Sequence, residues 1–166
     1  GESHGRVANT GDYLVTGYAL KKLVHQDTEG DAYNKAITYP WPMIRLSELY
    51  LNYAEATLKG GGGDLGLAAT KINELRERAF GNSSGNITSG DLTLDFVLDE
   101  RSRELYWEGQ RRTDLIRYNY FTSDTYLWPF KGDSKDGVGT DSFRNIFPLP
   151  NNIITTNPNL IQNPGY

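Results

Sequence analysis

The densest run of chemically capable side chains is Glu100-Arg101-Ser102-Arg103-Glu104-Leu105-Tyr106-Trp107-Glu108-Gly109-Gln110-Arg111-Arg112-Thr113-Asp114-Leu115-Ile116-Arg117-Tyr118. On a helix, Glu104 and Glu108 share one face, and a carboxylate pair is the equipment of a glycosidase. Arginines surround the pair in sequence, however. Cationic neighbours lower carboxyl pKa values and remove the proton that an acid catalyst must hold. The same residues read better as a brace. Leu94, Leu98, Leu105 and Tyr106 form the apolar stripe of a helix, which Arg101 or Ser102 must interrupt. A buried arginine needs a carboxylate, because an unpaired buried charge costs several kcal/mol. The spacing predicts an internal ion-pair network of Arg101, Arg103, Glu104, Glu108, Arg111, Asp114 and Arg117 that locks this helix to the next.

A second candidate site is aromatic. Tyr118, Tyr120, Phe121, Tyr126, Trp128 and Phe130 crowd one segment with Asn119 and Asp124. Rings stack on the apolar faces of sugars while amides and carboxylates satisfy the hydroxyls. Tyr126, Trp128, Tyr120 and Asn119 are therefore the candidate ligand-binding residues. The favoured competing expectation is that these rings pack on one another as a small core of their own.

Other chemistries find little support. The chain has no cysteine, which excludes disulfides, thiolate zinc sites and cysteine nucleophiles. Asp133-Ser134-Lys135-Asp136-Gly137 is a poor calcium loop, with lysine at the third ligand position and no closing glutamate. His4 and His25 are isolated, and Gly60 to Gly63 precedes no Lys-Ser/Thr pair. No metal or cofactor is expected. A net charge of −4 and a pI near 5.2 argue against nucleic acid. No apolar run reaches bilayer-spanning length. The chain opens Gly1-Glu2-Ser3 without methionine, and is expected to start partway through something longer.

The elements that position these groups are mainly helical. Helices are predicted over about Met43 to Lys59, Leu65 to Phe80, Leu94 to Glu108 and Arg112 to Tyr118. In the first, Leu46, Leu49, Tyr50, Tyr53 and Thr57 form one stripe and Leu51, Ala54 and Leu58 another, as in a helix packed on two sides. Gly60 to Gly63 ends it, and Asp64 caps the second helix, whose stripe is rich in alanine. The two should form an antiparallel hairpin like a tetratricopeptide unit. Residues 1–40 read as an irregular or extended lead-in, 42–118 as the helical part, and 119–166 as a long aromatic-rich loop and an extended tail. Taken without any resemblance, such a chain is a helical-repeat scaffold for protein–protein contacts.

The run from Glu100 to Arg117 resembles the E-R-x-R-E-L-x-x-E-G-x-R-x-x-D-L-x-R signature of the SusD/RagB family. Phe147-Pro148-Leu149-Pro150 and Asn157-Pro158-Asn159-Leu160-Ile161-Gln162-Asn163-Pro164-Gly165-Tyr166 are similar to that family's terminus, and Arg45 to Ala56 to one of its helices. The loop Tyr126 to Gly132 also looks like a family loop. The resemblance covers the chain from about Tyr13 onward and marks it as a C-terminal portion. It implies a cell-surface lipoprotein of the outer membrane of a Gram-negative bacterium, without catalytic activity. Such a protein captures glycans or other nutrients for a SusC-like TonB-dependent transporter. It touches the membrane only through a lipid anchor on an N-terminal part outside this sequence. Much of the family's ligand surface would lie there too, so this chain alone is expected to bind glycans weakly or not at all.

Overall fold

In a computed structural model of the chain, the structure describes residues Pro42–Tyr166, which form one compact unit. The expected lead-in over residues 1–40, with His4 and His25, lies outside the described residues. Five helices follow in order: α1 (Leu46–Leu58), α2 (Leu65–Phe80), α3 (Leu94–Glu104), α4 (Arg111–Arg117) and α5 (Asn151–Thr156). Short 3-10 turns punctuate the connections. The described residues contain no strand.

The α1–α2 hairpin follows from local signals. Lys59 ends α1, and Gly60 adopts φ 89°, a conformation that glycine reaches without a Cβ penalty. Gly60 N–H then donates to Thr57 O and Gly61 N–H to Ala56 O, the double bond pattern of a Schellman cap. Asp64 Oδ1 accepts from Leu67 N–H at 2.7 Å to start α2. Tyr53 hydroxyl accepts from Asp64 N–H at 2.9 Å and pins the loop to α1. The helices run antiparallel, since Tyr53 meets Asp64 while Tyr50, one turn earlier, meets Lys71. Leu51 and Ala54 of α1 pack on Ala68, Ala69, Ile72 and Leu75 of α2, with Leu92, Val97 and Leu105 completing the core. Leu51 and Ile72 are fully buried, each worth about 1.5–3 kcal/mol relative to exposure.

Three expectations need correction. First, α1 starts at Leu46 because Arg45 stays extended as its N-cap and sends its side chain to α3. Its first stripe is covered only in part: Tyr50 and Tyr53 pack against the core, while Leu46 and Leu49 remain 61% and 52% exposed. Second, α3 ends at Glu104, four residues early. Leu105 turns inward to 4% exposure, Trp107 takes φ 64° and Gly109 φ 77°, so the chain reverses before α4. Third, the tail is not simply extended. Pro150, preset near its φ of −59°, opens α5, and Thr156 hydroxyl returns to Asn152 O at 2.8 Å.

The irregular segments are held by side-chain amides. Asn73 clamps both polar groups of Ile87, donating to its carbonyl and accepting from its N–H, each at 2.9 Å. Gln162 does the same to Leu149, at 2.9 and 2.8 Å. Asn163 Nδ2 donates to Phe147 O, and Tyr166 hydroxyl donates to Ile146 O. The tail motif thus folds back and latches the Phe147–Pro150 motif.

Candidate functional site

The charged run builds not one network but three, and most of their partners come from the hairpin. In the first, Arg101 of α3 and Asp114 of α4 are each 2% exposed and lie 2.9 Å apart. Arg101 Nε points off the line of a hydrogen bond, so this contact is an ion pair. Its Nη1 donates instead to Asn52 of α1 at 2.6 Å. Arg117 bridges Asp114 at 2.8 Å and Glu55 of α1 at 2.7 Å, and Lys59 adds a second cation to Glu55. In the second, Arg45 reaches both Glu104 and Glu108, at 2.9 and 2.8 Å, and Arg78 of α2 joins Glu104 at 2.7 Å. In the third, Glu100 accepts from Arg76 of α2 and from Arg103. Arg111 has no carboxylate partner among the described residues; it donates to Leu98 O at 3.2 Å and to the Tyr126 hydroxyl. The brace therefore ties α3 chiefly to the hairpin rather than only to α4.

This geometry opposes the acid–base reading of Glu104 and Glu108. Burial pushes the Glu104 carboxyl up, but hydrogen bonds from Arg78 and Arg45 outweigh it and hold the group below its ordinary range. Both carboxylates also share one guanidinium, whereas a proton donor needs a raised pKa.

Glu55 has a consequence that can be measured. Burial raises its pKa, yet Arg117 and Lys59 bring it down to about 2. Unfolded glutamate titrates near about 4.3, so the stabilisation is complete above about pH 5 and is lost as the pH falls towards 2. With Arg117 partly exposed, about 2 kcal/mol is at stake. Glu55→Gln should flatten the dependence of the urea midpoint on pH across that window. An unchanged slope would place the titration elsewhere.

In the aromatic loop, Tyr120 and Tyr126 stack face to face with centroids 5.0 Å apart and planes 6° apart. Tyr118 tilts against Tyr120, and Trp128 meets Tyr126 edge-on at 6.4 Å. Tyr120 hydroxyl donates to Asp95 at 2.9 Å. Tyr120 and Tyr126 thus turn their faces to each other. Asn119 has a backbone role: at φ 60° it follows α4, with Asn119 N–H on Ile116 O and Tyr120 N–H on Leu115 O, a second Schellman cap.

The residue that organises this loop is Lys131, which the sequence reading passed over. It is 3% exposed, and its Nζ donates to three carbonyls, those of Tyr120, Ser123 and Tyr126. Its ammonium also lies 4.7 Å from the Trp128 ring centroid. Burial pushes its pKa down, and the Asp124 carboxylate opposes that shift. Gly137 closes the turn over Trp128; a Cβ there would collide with Trp128 O. Beside the loop opens a cleft of about 680 Å³, walled by Phe121, Trp128, Phe130, Phe147, Arg112 and Arg144 among others. Phe130 and Phe147 are 73% and 66% exposed there. Among the described residues no cluster of His, Asp or Glu is placed to hold a metal ion. None of their helices is long and apolar enough to cross a membrane.

These features define a class: a tetratricopeptide-like helical protein, braced by ion pairs, that carries an aromatic loop and a latched tail. The chain belongs to the SusD family, whose sequence model matches residues 2–166. It is 39% identical over 156 residues to the starch-binding protein SusD of Bacteroides thetaiotaomicron, covering 92% of this chain and 27% of that protein. It is 32% identical over 130 residues to a SusD-like protein of Formosa agariphila, covering 75% of this chain and 24% of the relative. The crystal structure of a SusD superfamily protein from Bacteroides vulgatus matches with a TM-score of 0.55 at 38% identity, over 74% of this chain and 27% of that one. The chain thus spans about a quarter of the length of these relatives.

Proposed function

We propose that the chain is part of a non-catalytic glycan-capture protein on the outer-membrane surface, which passes its ligand to a SusC-like TonB-dependent transporter. The observation that carries this reading is the open aromatic cleft beside Trp128 in a chain of the SusD family, one relative of which is named for starch binding. Tyr120 and Tyr126 support the platform from behind, and Trp128, Phe130 and Phe147 face the ligand. The membrane is reached through a lipid anchor outside this sequence. Arginine-bound Glu104 and Glu108 speak against hydrolysis.

The test is affinity electrophoresis of the chain in gels containing starch or other polysaccharides, paired with a reducing-end assay. Retardation without released reducing ends is expected, and Trp128→Ala should weaken it about fivefold or more, since one stacking face is worth about 1 kcal/mol. Phe130→Ala, at an exposed ring, should weaken it while leaving the fold intact. Release of reducing ends that disappears in Glu104→Gln would instead establish a glycosidase.

A further inference from the structure

We propose that the cleft beside the aromatic loop receives the acidic unit of a polysaccharide, a uronate or a sulfated sugar. Trp128 and Phe130 stack on the sugar, and Arg112 and Arg144 take its anion. The inference rests on the glycan-binding reading above and names the ligand's chemical class.

The supporting observation is a division of charge across the molecule. In the helical part, Arg45, Arg76, Arg78, Arg101, Arg103 and Arg117 each face a carboxylate at 2.7–2.9 Å. Lys59 and Lys71 do so too, at 2.8 and 2.6 Å. Of the cations lining the cleft, none faces a carboxylate in this way among the described residues. Arg112 donates Nη2 to the carbonyls of Arg144 and Asn145, at 3.0 and 3.2 Å. Its guanidinium lies between the rings of Phe121 and Phe147, 5.0 and 3.8 Å from their centroids. Arg144 rests over Phe143 at 5.2 Å. Lys131 donates to carbonyls only.

Carbonyls and ring faces orient a guanidinium without neutralising it. The arginines paired with carboxylates and the two that line the cleft, Arg112 and Arg144, therefore present electrically different surfaces. Arg112 uses only Nη2 in its two bonds, so its remaining N–H groups keep the fork that matches a carboxylate or sulfate. Flanking rings hold that fork in place in advance, which lowers the ordering cost of binding. Asp133 and Asp141 also line the cleft; both are exposed, and neither pairs with an arginine. They accept sugar hydroxyls and turn the acidic group towards Arg112 and Arg144.

Calorimetry of the whole 166-residue chain against three tetrasaccharides decides the question: tetragalacturonate, a sulfated carrageenan tetrasaccharide and neutral maltotetraose. One acidic ligand should bind about tenfold more tightly than maltotetraose, as expected for a charge-assisted bidentate contact. The carboxylate and sulfate arms show which anion is read. Raising the salt should shrink the advantage. Arg144→Gln should remove it, whereas Lys135→Gln, which takes a charge from the same loop outside the cleft wall, should not. Equal binding of acidic and neutral sugars, or equal effects of the two substitutions, overturns the inference and leaves glycan capture standing. Failure of all three sugars to bind removes both.

Discussion

Asp114→Ala should destabilise the chain by about 3–5 kcal/mol, the loss expected when one member of a buried ion pair is removed. Arg101 would stay behind at 2% exposure, with the neutral Asn52 amide as its one remaining acceptor among the described residues. Arg117 would lose one of its two carboxylates as well. Most of the loss is the penalty of leaving a charge uncompensated in a medium that solvates it poorly. That origin has its own signature. Replacing both members together, Arg101→Met with Asp114→Leu, should cost far less than Asp114→Ala alone, since a buried pair can often give way to apolar side chains with little loss. Urea denaturation of the variants measures both. A loss under about 1 kcal/mol for Asp114→Ala would show that water reaches the site and that the brace is ornamental.

Lys131→Met is expected to lower stability by about 2–4 kcal/mol and to loosen the aromatic loop, because three carbonyls lose their common donor. Methionine keeps the apolar stem but supplies no N–H, so the carbonyls of Tyr120, Ser123 and Tyr126 face one another uncompensated. The stacked Tyr120–Tyr126 pair and Trp128 are mounted on those same peptides. Near-ultraviolet circular dichroism should therefore collapse while the far-ultraviolet helical signal persists. Amides from about residue 120 to 139 should lose exchange protection before those of α2. If the near-ultraviolet spectrum and the denaturation midpoint are both unchanged, Lys131 is not the loop's organiser.

How much of this was legible depended on how local each cause is. The α1–α2 hairpin was readable because glycines, an N-cap aspartate and two apolar stripes lie next to the elements they define. The end of α3 was not, because it depends on Trp107 taking a positive φ that its sequence does not announce. The need for a buried arginine with a carboxylate partner could be inferred from Arg101 within an apolar stripe. The identity of most partners could not: Glu104 and Glu108 are met by Arg45, about sixty residues earlier, and Glu104 also by Arg78. Asn119 carries a second signal beside its amide: asparagine just past a helix tolerates the left-handed region and so also serves as a cap. Helix α5 was hidden by Ile153, Ile154, Thr155 and Thr156, whose branched side chains favour extended backbone. Lys131, a cation inside an aromatic run, left only its odd composition as a clue.

The two amide clamps have a further consequence, for the behaviour of this chain among its neighbours. A loop-rich protein usually secures wandering backbone by pairing it into strands, and an outer strand presents a row of vacant N–H and C=O groups. Here Asn73 and Gln162 each occupy both groups of a single peptide segment from the side, at Ile87 and Leu149. Asn163 and Tyr166 take two more carbonyls. At Ile87 and Leu149 the backbone is thereby satisfied from the side, and neither residue offers a vacant N–H or C=O for another copy to pair with. At these two segments, neighbouring copies in a crowded population find no template for cross-strand growth.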